Sequence, residues 1–379
     1  MMEFATLTGL SPAKKCPRRY LWTDAFAVCN FLELYRETDN EQYWDLATKL
    51  VNQVHGVLGK HREDDVRKGW IGGLSEEEGE QHPTRGGLRI GKKLNERKPG
   101  DLYNDRLEWD QDGQYFHYLT KWMHALNQMA NASGDFIYNR WAIELAKTAH
   151  TGFIYASPLS GGQKRMYWKM SIDLSYPLVP SMGQHDPLDG LVTYCQLQST
   201  AKRDPNMHTS PDLVAEITDM ADICTGKSWT TDDSLGIGGL LSDAYLLVQL
   251  MMNDDFEGTG LLKTLLESSL ESLKVYTRDH PLALPAHYRL AFRELGLSIG
   301  LGAIGKVKGL IGQKEAHRIR EGRLDSLVNS LMGYVPLRKT IHSFWLQEVN
   351  QEYTSWKNHL DINMVMLATS LAPDGYLNL

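Results

Sequence analysis

Residues 20–34 read YLWTDAFAVCNFLEL, and this stretch decides the fold class. From Leu21 to Leu34, apolar side chains occupy positions all round the helical turn, so little polar surface is left. A helix that is apolar all round is buried on every side. Residues 41–58 follow at once with one apolar stripe and with polar residues such as Lys49 elsewhere. That pattern is typical of a helix with one face in water, so the two stretches predict a hairpin of one inner and one outer helix.

The same alternation recurs along the chain. Stretches that are apolar nearly all round, interpreted as inner helices, are 20–34, 113–131, 187–200, 232–252, 286–304 and 357–371. Stretches with one apolar stripe, interpreted as outer helices, are 41–58, 135–151, 211–224, 259–276 and 315–333, with 341–352 as the candidate for a sixth. Alternation of period two long enough for a central sheet is nearly absent. The pattern predicts an all-α (α/α)6 toroid, a ring of inner helices inside a ring of outer ones, as a single domain over 1–379.

Two long segments, 61–111 and 156–185, interrupt the helices and are rich in glycine and charged residues. Loops longer than about 15 residues inside a compact domain are usually functional or disordered. Within the second segment, residues 166–172 alternate in polarity and predict a small β-hairpin. Each segment leads directly into an inner helix, so both are expected over the same mouth of the barrel.

Composition excludes several functional classes. The formal net charge of −7 over 379 residues argues against a nucleic-acid partner, which normally requires a basic excess. The four cysteines lie far apart without a CxxC pair, so no zinc knuckle, metal or other cofactor is expected. The N-terminus lacks a signal pattern, and no apolar run approaches 18 residues. We therefore expect a cytoplasmic protein without a membrane partner, and the oligomeric state stays open.

The first hairpin resembles proteins of the six-hairpin glycosidase superfamily, through Tyr20-Leu-Trp-Thr-Asp-Ala-Phe-Ala-Val and Glu41-Gln-Tyr-Trp-Asp-Leu-Ala. A polar turn followed by an aromatic-x-x-Ala phrase recurs at Gly134-Asp-Phe-Ile-Tyr-Asn-Arg-Trp-Ala. The superfamily includes (α/α)6 glycoside hydrolases and N-acylglucosamine 2-epimerase-like sugar isomerases, so the resemblance implies a toroid with carbohydrate chemistry. The chain lacks the His-Pro-Arg phrase of the epimerases, and no catalytic residue is carried over from them.

In such toroids the inner helices begin at the mouth that holds the site, so the residues at their starts are the candidates. Acids, amides and histidines can bind sugar hydroxyls, and aromatic rings stack on pyranose faces. The candidates for substrate binding are Trp22, Asp24, Trp109, Asp110, His117, Gln184, His287, Arg289 and His359. Aspartate at a helix start is also a favoured N-cap, which is the structural alternative for each acid.

The catalytic candidates come from acids that a cap does not require. Asp110 can cap the helix at 113–131, which leaves Asp112 free for the cavity. Asp186 can cap the helix at 187–200 ahead of a proline at its first position, which leaves Asp189 and His185 free. We expect Asp112 with Asp189 or His185 as the acid–base pair. Asp232 and Asp233 are expected in support.

Four functions remain open for a protein expected to bind a small molecule or an oligosaccharide. Glycoside hydrolysis needs two carboxyl groups and is the first hypothesis. Sugar isomerisation or epimerisation instead needs a base with a pKa near neutrality, often histidine. A terpene-cyclase-like enzyme would use the Asp232-Asp233 pair. The fourth alternative is a toroid without catalysis that binds a ligand or a protein.

Two glycine-rich motifs do not indicate a nucleotide site. Residues 300–305 fit G-x-G-x-x-G but lie in an apolar helix, where close helix packing is the expected role. Residues 86–92 resemble a P-loop, but Lys93 replaces the required serine or threonine. The basic residues of this loop are expected either to meet an anionic group such as a uronate or a phosphate, or to be solvated; they are Arg85, Arg89, Lys92 and Lys93.

Overall fold

The structure, a computed structural model, describes residues 1–157, 162–205, 212–313 and 322–379. Helices dominate the described residues, and the all-α fold class expected from the sequence is confirmed. The chain divides into two compact units, Met2–Thr225 and Gly226–Leu379, the second including Met1.

The unit Met2–Thr225 contains nine described helices and five short strands. The helices are α1 (Met2–Leu7), α2 (Leu21–Thr38), α3 (Glu41–Leu58), α4 (Glu76–Gln81), α5 (Asp105–Asp110), α6 (Phe116–Ser133), α7 (Ile137–Phe153), α8 (Asp186–Ala201) and α9 (Val214–Cys224). The strands are β1 (Gln114–Tyr115), β2 (Ile154–Ala156), β3 (Lys164–Met166), β4 (Lys169–Met170) and β5 (Pro177–Val179).

The unit Gly226–Leu379 contains nine further described helices and two short 3-10 turns, Pro281–Ala283 and Ala286–Tyr288. The helices are α10 (Ser234–Met252), α11 (Thr259–Arg278), α12 (Ala291–Ile311), α13 (Gly322–Met332), α14 (Leu337–Trp345), α15 (Glu348–Gln351), α16 (Thr354–Lys357), α17 (Leu360–Leu371) and α18 (Asp374–Leu377).

Each unit repeats the predicted alternation of buried and half-buried helices. In the first, α6 packs between α2 and α8, and α3, α7 and α9 flank this row. In the second, α12 packs between α10 and α17, with α11, α13 and α14 outside. Large side chains such as Trp122 on α6 are fully buried in these rows. Burying one such apolar side chain stabilises the fold by about 1.5–3 kcal/mol.

The boundaries differ from the prediction at a few places. The helix expected from 286 begins at Ala291, because a 3-10 turn and extended residues follow Pro285. The expected helix 341–352 ends at Trp345, and a separate short helix follows. Residues 206–211, the expected opening of the helix that begins at Val214, lie outside the described residues. So do residues 314–321, which include the expected start of the outer helix 315–333.

Glycine allows α10 and α12 to pack with their backbones in close approach. A Cβ atom on Gly238 would lie 2.2 Å from the carbonyl oxygen of Gly296, and one on Gly300 would lie 2.4 Å from that of Gly238. No side chain fits at either position. Gly300, the first glycine of the G-x-G-x-x-G stretch, is therefore a helix-packing position, as predicted. Among the described residues, α10 is also long and apolar enough to cross a membrane, but most of it is buried, as in the core helix of a globular protein.

The two long insertions contact each other through side chains, and a strand of the second insertion pairs with β1, which lies between the first insertion and α6. Strand β1, directly before α6, pairs with β4, and β4 pairs with β5. Strand β2 pairs separately with β3. The alternating run 166–172 therefore does form strands, but they belong to two different sheets rather than to one hairpin. Arg67 of the first insertion also bridges to Asp173 of the second at 3.0 Å.

Candidate functional site

The starts of α2, α6 and α8 meet within the unit Met2–Thr225. Tyr20 is the N-cap residue of α2, and its hydroxyl lies 2.7 Å from that of Tyr118 in the first turn of α6. Farther along α6, Lys121 donates to the carboxylate of Asp189 on α8 at 2.9 Å. These contacts join three buried helices at their N-terminal ends, where the sequence predicted a site.

His117 and Asp186 form the central polar pair of this site. Nδ1 of His117 lies 3.7 Å from Oδ1 of Asp186. The His117 side chain is 27% exposed, whereas that of Asp186 is only 8% exposed. Nδ1 of His117 and Oδ2 of Asp186 are buried and have no hydrogen-bond partner among the described residues. Leaving a buried polar atom without a hydrogen bond costs about 1–3 kcal/mol. A ligand that bonds to these atoms, or a small movement that brings the two side chains together, would remove this cost.

Aromatic rings surround the imidazole of His117. Trp168, from the second insertion, lies nearly parallel to it, with ring centroids 6.2 Å apart and an interplanar angle of 17°. Tyr115 and Tyr118 contact it at centroid distances of 5.3 and 4.8 Å. Trp109, from the first insertion, meets Trp168 edge-on at 5.7 Å and is 55% exposed. Both insertions therefore contribute indole rings near the imidazole, and such rings are suited to stacking on sugar faces.

The tyrosine pair at this site remains protonated. Burial raises the pKa of Tyr20 and of Tyr118 well above the ordinary value for a phenol. Burial also raises the pKa of Tyr115. These hydroxyls therefore act as neutral hydrogen-bond donors and acceptors rather than as phenolate bases.

Asp112, predicted to be catalytic, is instead enclosed by the first insertion. Its side chain has no exposed surface, and Oδ2 lies 3.0 Å from Arg89 and 3.5 Å from Arg62. Oδ1 accepts from the backbone N–H of Gly91 at 2.9 Å. Both carboxylate oxygens are occupied within the protein, so this geometry assigns Asp112 to holding the loop in place.

Lys169 is likewise saturated by the protein. Its ammonium group is fully buried and donates to Oε1 and the carbonyl of Glu108, each at 2.8 Å, and to the carbonyl of Gln111 at 2.9 Å. Burial lowers the pKa of Lys169, and the hydrogen bond that Lys169 donates to Glu108 opposes that shift. The pair secures β4 against the segment that precedes α6.

The other predicted residues of this unit divide between core and surface. Trp22 is buried against Phe26, and Asp24 is buried with Arg19 at 3.3 Å while accepting from the N–H of Tyr20. This second contact is a capping interaction at the start of α2. His185 is the N-cap residue of α8 and is half-buried beside Asp186. The predicted residues with exposed side chains are Trp109, Asp110 and Gln184.

The predicted residues of the unit Gly226–Leu379 have mainly local partners. Asp233 caps α10 and pairs with Arg293 at 2.6 Å, and Asp232 is exposed. Arg289 is buried in a two-pronged pair with Glu294, with the shorter contact at 2.6 Å. Two histidines contact rings: the exposed His287 lies against Tyr288, and the half-buried His359 lies against Phe292.

Sequence reasoning missed several site residues that come from helix starts and from the second insertion. Tyr115 and Tyr118 flank His117, and a search for aromatic residues beside a helix-start histidine would have found them. Trp168 lies 51 positions from His117 in sequence, and long-range contacts such as the pairing of β1 with β4 bring the insertion there. Lys121 lies one turn beyond His117, deeper in the helix than the start positions at which the sequence predicts site residues. Within the described ranges, no group of three or more His, Cys, Asp or Glu side chains could hold a metal ion.

Comparison with known proteins gives structural similarity alone. No family model matches the chain, and no curated protein matches its sequence significantly. The chain is similar in structure to a cellobiose 2-epimerase from Spirochaeta thermophila, with 14% identity and a TM-score of 0.48 over 94% of this chain and 87% of that one. A sugar epimerase from a ruminal bacterium has 11% identity and a TM-score of 0.48, covering 93% and 88%. A cellobiose 2-epimerase from Bacillus thermoamylovorans has 11% identity and a TM-score of 0.47, again covering 93% and 88%.

Proposed function

We propose that the protein is a sugar isomerase or epimerase in which His117 moves a proton at a carbon next to the sugar carbonyl. One observation carries the proposal: a half-buried imidazole whose Nδ1 faces a buried carboxylate, among aromatic rings, at the start of three core helices. Histidine is the commonest general acid–base residue because it titrates near neutrality.

The reaction requires the protein to remove a carbon-bound proton and to return it. His117, with Nδ1 directed at Asp186, leaves the opposite ring edge, which carries Nε2, to take the proton. The electron pair of the broken C–H bond forms an enediol(ate) with the carbonyl of the open-chain sugar. Asp186 stabilises the imidazolium that results and orients the ring. Return of the proton from the imidazolium to a carbon restores the sugar and the base.

The position of reprotonation distinguishes the two reactions. Isomerisation returns the proton from the imidazolium to the adjacent carbon, while the hydroxyl proton of the enediolate passes from one oxygen to the other. His117 can carry the carbon-bound proton in both directions. Epimerisation returns a proton to the same carbon from the opposite face, which requires a second acid–base group. His185, which directly precedes Asp186 at the start of α8, is the candidate for that role.

The site favours this chemistry over hydrolysis by two carboxyl groups. Asp112 has both oxygens bound within the protein, and Asp189 is paired with Lys121. Neither is therefore available as a free acid or base in the arrangement that was expected. His117 Nδ1 and Asp186 Oδ2, in contrast, are buried without a hydrogen-bond partner among the described residues.

The proposal is tested by incubating the protein with a panel of reducing sugars and separating the products. The panel includes cellobiose, glucose and their uronate and phosphate counterparts. We expect an isomer or epimer of at least one of these sugars, with the glycosidic bond of any disaccharide intact. His117→Asn should abolish the product while the melting temperature stays near that of the wild type. Release of monosaccharides without isomer or epimer would refute the proposal in favour of hydrolysis.

A further inference from the structure

The half-buried ammonium group of Lys92 has no hydrogen bond and no ion pair among the described residues. Its Nζ lies over the ring of Tyr20, 5.2 Å from the centroid. Burial lowers the pKa of Lys92, as does the nearby charge of Lys169, while Asp110 and Asp112 oppose the shift without forming an ion pair. Removing a cation from water without giving it an anionic partner costs free energy. Such a group is therefore rare in a folded protein unless it binds a ligand.

The other basic groups of the same loop do not share this property. Arg89 is buried, bound to Asp112 and to the carbonyls of Val57 and Lys60. Lys93 is exposed to solvent, as is Arg85 in the described structure. Of this basic loop, Lys92 alone combines partial burial with a charge that no described residue neutralises.

The loop that carries Lys92 is held by a buried ionic scaffold. Arg62 donates to the carbonyl oxygen of Lys92 at 2.6 Å and to that of Lys93 at 2.8 Å. Asp112 lies 3.5 Å from Arg62 and accepts from the N–H of Gly91. The backbone of Lys92 is therefore fixed on both sides, and its side chain is presented from a rigid base.

Gly91 allows the loop to approach α2 closely. Its φ of +93° is in the region that disfavours residues with a Cβ, and a Cβ there would lie 2.2 Å from the carbonyl oxygen of Arg19. The preceding residue, Ile90, accepts a backbone hydrogen bond from the N–H of Leu21 at 3.0 Å. The loop is thus attached to the start of α2, where Tyr20 lies.

Lys92 is connected to the imidazole of His117 by direct contacts. Its ammonium lies on Tyr20, the Tyr20 hydroxyl bonds that of Tyr118, and Tyr118 packs against His117. The side chains of Tyr20 and Tyr118 therefore link the unpaired cation to the proposed base.

We propose that Lys92 binds an anionic group of the substrate, so that the sugar handled beside His117 carries a carboxylate or a phosphate. This inference rests on the proposed function for the sugar, but the anion requirement comes from Lys92 itself. A charge-assisted hydrogen bond between the ammonium and an anionic oxygen would supply the missing partner, and the low local dielectric would strengthen it. The hydroxyls of a neutral sugar can solvate the cation but cannot neutralise it.

Binding, measured by titration calorimetry, tests the inference without requiring turnover. The probes are D-glucuronate, D-glucose 6-phosphate and neutral D-glucose, each titrated into the full chain at low and moderate salt. We expect the wild type to bind at least one anionic probe about 10- to 100-fold more tightly than glucose, since hydrogen bonds to charged groups contribute about 1.5–3 kcal/mol. The preference should shrink as salt increases. The stronger of the two anionic probes identifies the group as carboxylate or phosphate.

Three variants assign the effect. Lys92→Met keeps the apolar stem and should lose the preference for the anionic probe. Lys92→Arg should retain it, and Lys93→Met, which removes the adjacent exposed charge, should also retain it. Equal binding of neutral and anionic probes by the wild type, or an unchanged preference in Lys92→Met, would overturn the inference. So would a complete absence of binding by all three probes.

His117→Asn separates this inference from the proposed function. If this variant binds the anionic probe as the wild type does but forms no product, both proposals are supported. If the wild type shows the Lys92-dependent preference but converts none of the panel, the proposed reaction fails while the anion site remains supported.

Discussion

The helix starts of the two units use similar residue types differently. In the unit Met2–Thr225, His117 and Asp186 face each other with buried atoms that have no described hydrogen-bond partner. In the unit Gly226–Leu379, Asp233 accepts from two backbone N–H groups of α10 and from Arg293. Arg289 and Glu294 are paired with each other, and Glu294 also accepts from the indole of Trp345.

This difference in hydrogen bonding distinguishes residues that stabilise a helix start from residues that are available to bind a ligand. A carboxylate that accepts from the first backbone N–H groups of its helix is an N-cap, and its oxygens are already occupied. A buried carboxylate oxygen without a hydrogen-bond partner lowers the stability of the ligand-free protein. Sequence position alone does not distinguish the two, because both kinds of aspartate lie at the start of a buried helix.

The largest expected effect is on turnover, and it contrasts the two units directly. His117→Asn should lower kcat/KM by about 10²–10⁴-fold, the usual contribution of a general acid–base residue. His287→Asn, which changes an exposed histidine that lies against Tyr288, should change kcat/KM by less than about threefold. Initial rates on the best sugar of the panel measure both values.

The matched control is stability, because neither side chain is fully buried. Both variants should melt within a few degrees of the wild type. A larger loss of activity in His287→Asn than in His117→Asn would reverse the comparison and move the site to the second unit.

The second contrast concerns the two aspartates that were predicted to be catalytic and that have arginine partners. Asp112→Asn leaves Arg89 and Arg62 without their buried counter-charge, and breaking such a pair costs about 3–5 kcal/mol. Asp233→Asn keeps a good N-cap and loses an ion pair that is 42% and 35% exposed, which is worth less than about 1 kcal/mol. Urea unfolding at pH 7 gives both free energies of unfolding. Equal losses in the two variants would contradict the structural role assigned to Asp112.

The third contrast is in acid sensitivity. Burial lowers the pKa of His55 to about 3, and the indole N–H of Trp122 donates to its Nε2 at 3.2 Å. In the unfolded chain a histidine titrates near 6.5, so the unfolded state binds one more proton in the interval between these values. The stability that neutral His55 provides is therefore fully present above pH 6.5 and is lost as the pH falls towards 3. The slope should reach about 1.4 kcal/mol per pH unit.

Two substitutions measure this slope. His55→Gln removes the titrating group and should flatten the fall in unfolding free energy between pH 6.5 and 4. Burial also lowers the pKa of His342, but this residue is only half-buried, so His342→Gln should flatten it less. The free energy of unfolding is measured at several pH values for each variant. The variants are compared by its slope against pH rather than by its absolute value. An unchanged slope in His55→Gln would show that His55 takes up its proton in the folded state.

The helices were predictable because burial sets the spacing of apolar residues along a helix, and a single sequence is enough to display that spacing. The starts of α2, α8 and α10 fall within two residues of those expected, since caps and apolar runs are local signals. The start of α12 was misplaced because the 3-10 turn at Ala286–Tyr288 continues the apolar pattern without continuing the helix.

The site was only partly predictable, because its composition depends on contacts distant in sequence. His117, Asp189 and His185 were named from their position at helix starts. Asp186 was interpreted as the cap of its helix. In the structure its carboxylate faces His117 instead. Asp112 was misinterpreted as free, because the arginines that enclose it lie 23 and 50 positions earlier in the chain.

The most direct test of the central claim is exchange of carbon-bound hydrogen with solvent. The protein is incubated in D2O with the sugar it binds best, and the signal of the proton next to the carbonyl carbon is followed by NMR. If His117 removes that proton, the wild type should replace it with deuterium, and His117→Asn should slow the exchange by about 10²–10⁴-fold. Two results would contradict the account. One is conversion of the sugar without deuterium at either the original carbon or the adjacent carbon of the product. The other is exchange in His117→Asn as fast as in the wild type.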